Sequence, residues 1–367
     1  MSEPTAETIV ITGLGALSPV GANAEQTCAA IRAGMAAFKQ HAYYECIPDT
    51  TQQNDEPTCY TASVPVIDPY LDGPERLLQL ALPALHELID NVQFNLQDAC
   101  ASGLFLALPQ SDEVVNNWQL DVWFIPQLCQ RLALADFKTT KINQEGRSGV
   151  FSLVADAIEA LQTGQLDYCI VGGVDSWLIA KRMALLDANW RFKSERNVDG
   201  FIPGEAAVML MLETAAHAQA RGAPAFTRIG AVGFGMEPET LYSDQVSTGQ
   251  GLADALKAAL QPPTTQHFLE SVYCDLNGES YSAFEWGLML ARLGPTLEHI
   301  KKLIHPAENC GDIGAASGGL LLACASKAFQ HGHPIGHEAL LWTASDTGKR
   351  SAISLAAPSN NPQGVNI

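Results

Sequence analysis

The feature that most constrains this chain is an ordered run of elements that occurs twice. Ser148-Gly149 opens a stretch whose apolar residues, Val150, Phe151, Val154, Ile158 and Leu161, fall at helical spacing, with Gly164 as the stop. Leu166 to Val171 is then a continuous apolar strand that stops at Gly172-Gly173-Val174-Asp175, followed by a helix over 177–190 and a strand over 206–212. Near the other end, Ser317-Gly318 opens the apolar helix Leu320 to Phe329, the strand Ala339 to Thr343 runs to Asp346, and a further strand covers 352–356. Asp175 lies 27 residues after Ser148, and Asp346 lies 29 after Ser317. Helix, strand, acidic turn and strand in the same order predict a duplicated α/β fold. The halves are residues 1–225 and 226–367, the second opening on the strand Thr227 to Phe234.

The remaining elements are more ordinary. Ile9 to Thr12 reads as a short buried strand halted by the turn Gly13-Leu14-Gly15, and residues 24–33 as a helix capped by Asn23. Residues 36–75 are turn-rich and polar, with Pro48, Pro57, Pro65 and Pro69, and read as a long irregular excursion. Helices are expected over 76–93 and 122–133, and a strand over Leu104 to Leu108 ended by Pro109.

Composition narrows the function. Of 367 residues, 47% are hydrophobic and 17% charged, which excludes a mostly disordered chain. Lys and Arg number 21 against 40 Asp and Glu, a net charge of −19 that argues against nucleic acid and anionic membrane surfaces as partners. No apolar run approaches membrane-helix length, and the opening MSEPTAETIVITGLG lacks the basic start of an export signal. The nine cysteines form no CxxC pair, so no metal site is expected; most sit among apolar residues and read as buried free thiols in a reducing, cytoplasmic setting. No cofactor motif is present.

Four segments in order carry a resemblance. Ile9 to Gly21, IVITGLGALSPVG, resembles the opening strand of β-ketoacyl synthases of the thiolase superfamily. Gly164 to Gly173, GQLDYCIVGG, resembles the strand that follows their nucleophile helix. Asp199 to Ala207, DGFIPGEAA, running into the strand that ends at Glu213, resembles their DGF-x-x-GE-[GA]-A segment, and His217 to Gly222 continues it. The resemblance spans most of residues 8–355. It implies a thiolase fold, with duplicated halves in a layered αβαβα arrangement, two central sheets and a homodimer.

The resemblance also implies a cysteine nucleophile at a helix N-terminus, two His (or a His and an Asn) that hold the thioester oxygen and the enolate, and a supporting Lys. Carried over position by position, the nucleophile slot is Gly146, the first His slot Asn277, the second Asp312, and the Lys slot Ala307. All four depart from the pattern, as does the C-terminal loop Ser345 to Arg350. Binding candidates that remain are Arg147, Ser148, Asn277, Glu279 and Asp312. Arg147 reads either as a carboxylate ligand or as an ion pair, for instance with Glu145; Ser148 reads as a helix cap, with a nucleophile as the alternative; Asn277 and Glu279 read as polar loop residues, with Asn277 as one half of an oxyanion hole and Asp312 as a base in the alternative. Asp199 and Glu205 read as supports of the loop fold.

Asp98-Ala99-Cys100-Ala101-Ser102-Gly103 imitates a ketosynthase active-site motif, yet Cys100 lies 72 residues before Gly172 and precedes a strand rather than a long helix. It reads as an ordinary turn or core cysteine, with a nucleophile as the alternative. The expectation is therefore a ketosynthase-like (3-oxoacyl-ACP synthase-like) protein without condensing activity, acting as an accessory or partner-binding scaffold. Resemblance to thiolase-like proteins lacking the cysteine implies a secreted effector or adaptor as partner, in bacterial type VI secretion. The alternatives are a thioester decarboxylase, hydrolase or acyltransferase using Asn277 and Asp312, and an active synthase with its nucleophile elsewhere. Acyl carrier protein and coenzyme A thioesters are anionic; the thinly spread cations, paired only at Lys181-Arg182, Lys301-Lys302 and Lys349-Arg350, disfavour them.

Overall fold

A computed structural model describes residues 7–47, 59–92, 101–260, 269–333 and 336–358. The strands among them are β1 (Ile9–Leu17), β2 (Lys39–Gln40), β3 (Tyr60–Thr61), β4 (Ser102–Ala107), β5 (Thr139–Asn143), β6 (Tyr168–Ser176), β7 (Glu205–Thr214), β8 (Thr227–Met236), β9 (Ser271–Cys274), β10 (Lys302–Ile304), β11 (Glu338–Ala344) and β12 (Lys349–Ala356). β2 and β3 pair only with each other, inside the 36–75 excursion. The other ten form one sheet in the order β10-β9-β11-β12-β8-β1-β7-β6-β4-β5.

From the middle outward, the two flanks repeat. β1 is antiparallel to β7 and β7 to β6, whereas β6 is parallel to β4 and β4 to β5. β8 is antiparallel to β12 and β12 to β11, whereas β11 is parallel to β9 and β9 to β10. Each strand of one flank has a counterpart of the same sense and chain order in the other. Parallel neighbours require long crossovers; the helices Gly149–Gln162 and Ser317–Gln330 occupy matching crossovers, before β6 and before β11. The resemblance implies two sheets, but Val10 pairs with Arg228 and Ile11 with Thr227, and this short β1–β8 ladder joins the flanks into one.

The period-2 alternation of the strands builds the layers. On β4, Phe105 and Ala107 face the central core, while Leu104 and Leu106 face an outer core under the helices Pro74–Val92 and Leu120–Arg131. On β7, Val208 and Leu210 point inward and Met209 and Met211 outward. In the second flank, Leu341 and Ile353 point to the central core, and Leu340, Trp342 and Ala352 to the helices Gln250–Ala259 and Ser280–Leu297. The central core holds the Gly149 and Ser317 helices, giving helix, sheet, helix, sheet and helix in five layers. Because the Ser317 helix is enclosed, Ser317 through Ser326 are all buried; its Gly, Ala and Ser residues allow that enclosure.

Several elements outrun their sequence signals. β1 continues through Gly13 and Gly15 to Leu17. Those glycines serve close packing rather than a turn: a Cβ on Gly15 would lie 2.0 Å from the Ala84 carbonyl oxygen of the helix beneath. β6 likewise runs through Gly172-Gly173 to Ser176, because its ladder to β7 persists to Glu205. The Asn23 cap is present, its side chain accepting from the Gln26 N–H at 2.8 Å.

Candidate active site region

The two crossover helices bring their N-termini together at the β6 and β11 strand ends, and the acids that close those strands reach across the duplication. Asp175, at the end of β6, accepts the Ala315 N–H at 2.8 Å, from the turn that leads into the Ser317 helix. Asp346, just beyond β11, accepts Arg147 Nη1 at 2.9 Å, from the turn that leads into the Gly149 helix. Burial alone would raise Asp346, but the Arg147 and Arg191 charges outweigh it and hold the carboxyl well below the usual range.

Arg147 is the hub. Its Nε and Nη2 both donate to Asp312 Oδ2, at 3.0 and 2.5 Å. Asp312 also accepts Asn277 Nδ2 on Oδ2 at 2.8 Å, and Trp177 Nε1 at 3.1 Å and the Gly314 N–H at 2.8 Å on Oδ1. Burial raises its pKa; the Arg147 charge and these donors lower it further, so the carboxyl stays below its ordinary value. Asn277 Nδ2 is shared with Glu279 Oε2 at 3.0 Å. Glu279 forms a two-toothed pair with Arg191, at 2.8 and 2.7 Å, and Arg191 continues to Asp346 and to the Tyr242 hydroxyl. Three carboxylates and two guanidinium groups thus form one buried network with nearly all its hydrogen-bonding capacity used internally.

Of the candidate residues, Gly146, Arg147, Asn277, Glu279 and Asp312 converge here. Ala307 opens the short helix Ala307–Cys310 and lines, with Asp275, Cys310 and Asp312, a cavity of only about 10 Å³, room for about one water. Gly146 has φ +68, and a Cβ there would lie 2.7 Å from Gln110 Oε1. Two expectations are corrected. Ser148 makes no side-chain cap bond; its hydroxyl donates to the Lys349 and Thr343 carbonyls at 3.1 and 3.5 Å, because the β11–β12 hairpin closes over it. Arg147 does not pair with Glu145, which takes Lys349 at 2.7 Å instead. Asp199 accepts the Ser280 N–H, and Glu205 pairs with Arg76, so both secure loops. Cys100 lies outside the described residues. Arg191, Trp177 and Tyr242 had no sequence signal; Asp346 stood in the altered C-terminal loop and at the repeat's acidic turn.

The nearby thiols are held protonated. Cys310 is fully buried and donates to the Pro306 carbonyl at 3.1 Å; burial, then Asp312, pushes its pKa up to about 12. Asp275 is also raised, to about 7, first by burial, although Arg147 opposes the shift.

Residues 147–218 match the β-ketoacyl synthase N-terminal domain family. A 3-oxoacyl-[acyl-carrier-protein] synthase 2 of Staphylococcus aureus (strain N315) is 23% identical over 290 residues, covering 69% of this chain and 68% of that one. The ketoacyl synthase alpha subunit of the tetracenomycin polyketide synthase of Streptomyces glaucescens is 22% identical, covering 90% and 87%. The chain is β-ketoacyl synthase-like. The fold agrees: a type II PKS ketosynthase solved in complex with its acyl-carrier protein superposes with TM-score 0.77 at 15% identity, over 95% of this chain and 99% of that one. The ishigamide ketosynthase/chain length factor superposes with TM-score 0.75 at 16% identity, over the same shares. In this ketosynthase-like chain, no helix among the described residues is long and apolar enough to cross a membrane.

Proposed function

We propose that this ketosynthase-like protein performs no condensation and serves as a non-catalytic partner subunit, with 1–225 and 226–367 as its two halves. One observation carries the reading. Where the resemblance places a cysteine, two His and a Lys around a substrate pocket, the chain has a closed ionic network and about 10 Å³ of free space. An acyl chain with its thioester needs far more; ligand pockets typically measure hundreds of Å³. Asn277, the one of the four carried-over positions whose side chain carries an N–H donor, has its amide engaged by Asp312 and Glu279. That engagement also weighs against thioester cleavage by Asn277 and Asp312.

A partner role has support in the solved neighbours, one a ketosynthase with an acyl-carrier protein and one a ketosynthase/chain length factor. The reading includes a homodimer, and it includes a secreted effector or adaptor of a type VI system on the strength of the resemblance alone. Eight described cysteines are free and buried, which fits a reducing cytoplasmic setting.

The test is incubation with malonyl-acyl-carrier protein and malonyl-coenzyme A, reading carbon dioxide release and intact mass. No turnover and no adduct are expected. Turnover abolished by Asn277→Ala or Asp312→Asn, or an acyl adduct on Cys100, would overturn the reading.

A further inference from the structure

A second cavity, of about 190 Å³, lies away from the ionic network, between the helices Ala24–Arg32 and Ser317–Gln330 and the β9–β10 edge of the sheet. Its walls are apolar, built from Cys28, Ile31, Leu303 and Cys324. Two hydroxyls line it, those of Ser271 and Tyr273. They stand two residues apart on β9 and therefore on the same face. Ser271 is 3% exposed and Tyr273 7%, and neither hydroxyl has a hydrogen-bond partner among the described residues. Neither oxygen is among the fully enclosed unpartnered atoms, so both open on the cavity and are within reach of a ligand there. Burial raises the Tyr273 pKa, which keeps it a phenol and a donor.

The rim carries more positive than negative charge, with Arg32, Lys302 and Lys327 against Glu308. Arg32 and Lys302 line the same cavity and form no ion pair among the described residues. Lys327, which lines the cavity too, is by contrast paired with Glu25 at 3.0 Å. Glu308, the acid on this rim besides, faces His305 at 3.4 Å. Apolar walls, two hydroxyls without a protein partner among the described residues and two cations outside any ion pair there describe one kind of occupant.

We infer that this cavity binds a small amphipathic monocarboxylate, whose oxygens accept from Ser271 and Tyr273 and whose charge answers Arg32 and Lys302. The volume corresponds to roughly six waters, which limits the apolar body to a short chain or a single ring. The site is independent of the fate of the ketosynthase chemistry.

Isothermal titration of the full chain with octanoate, 1-octanol and butyrate tests it. Octanoate is expected to bind saturably, at least ~10-fold tighter than octanol, for want of the charge, and than butyrate, for want of apolar area. The double variant Ser271→Ala/Tyr273→Phe, which keeps the shape, should weaken octanoate about 10-fold. Lys302→Glu, at an exposed position that leaves the core intact, should abolish the preference for octanoate over octanol. Ala328→Trp should fill the cavity and remove binding. Absence of saturable octanoate binding to the natural chain overturns the inference, as does binding unchanged in the double variant and in Lys302→Glu.

Discussion

Arg147 and Asp312 come from different halves of the chain and meet through two hydrogen bonds to a single carboxylate oxygen, Oδ2. The pair is almost wholly enclosed, with side chains 7% and 1% exposed. A buried ion pair adds little over an apolar replacement, but removing one partner leaves the other charge stranded, at about 3–5 kcal/mol. Arg147→Met therefore should lower the unfolding free energy by about that amount, since it leaves Asp312 without a counter-charge in contact while Asp346 keeps Arg191. Urea denaturation monitored by tryptophan fluorescence checks this; a loss below about 1 kcal/mol would mean that water reaches the network.

Gly146→Cys supplies the missing thiol but should not restore condensation. The position has φ +68, which costs a non-glycine residue about 1–2 kcal/mol. The new Cβ would also press on Gln110, and neither Asn277 nor Asp312 can take the roles of the His residues while Arg147 holds Asp312 and the Asp312 and Glu279 carboxylates hold Asn277. The expected outcome is a variant destabilised by about 1–2 kcal/mol that forms no acyl adduct from malonyl or acetyl thioesters, read by intact mass. A stoichiometric adduct on residue 146 with product formation would show the pocket to be open.

The repeat was legible because duplication left the same order of helix, strand, acid and strand in both halves, and helical spacing survives wherever one face is buried. The assignment of Gly146, Asn277, Ala307 and Asp312 to the family's catalytic positions rests on the flanking segments that carry the resemblance. The network that occupies the site was not legible. Arg191 lies in a loop after the helix Ala180–Ala188, and Trp177 just after β6; nothing in their neighbours marks them, since only long-range folding brings them to Glu279 and Asp312. Ser148 misled for a related reason: a serine before a helix favours capping, but the hairpin from the other half offered its hydroxyl closer carbonyls. Gly13 and Gly15 read as a turn because sequence spacing does not disclose a helix backbone lying against the strand.

That helix supplies a third expectation. Gly15→Ala would set a methyl 2.0 Å from the Ala84 carbonyl and 2.8 Å from the Leu88 nitrogen, both backbone atoms that cannot rotate away. The helix Pro74–Val92 would have to move off β1, opening the outer core. Overpacking of this kind costs about 1–3 kcal/mol or more. Thermal unfolding should register it as a lower Tm. An unchanged Tm would mean the helix rides further from the strand.

The last expectation is a pH dependence with two opposed parts. Asp275 is half-buried, accepts only the Ala344 N–H at 2.8 Å among the described residues, and has its pKa raised to about 7; in the unfolded chain it falls near the ordinary ~3.9. Between those values the folded state holds a proton that the unfolded state has lost. Its contribution is therefore complete below about pH 4 and disappears as pH rises to about 7. Asp312 and Asp346 behave oppositely: their lowered values give stability above about pH 4 that is lost on acidification. Asp275→Asn mimics the protonated form and still accepts from Ala344. Urea unfolding at pH steps from 3 to 8 should show Asp275→Asn losing less stability than the natural chain from pH 4 toward 7, the remainder coming from the raised Glu87, Asp175 and Glu285 carboxyls, while keeping the acid loss below pH 4. Parallel curves for the two proteins would place Asp275 in contact with solvent and remove it from the buried cluster.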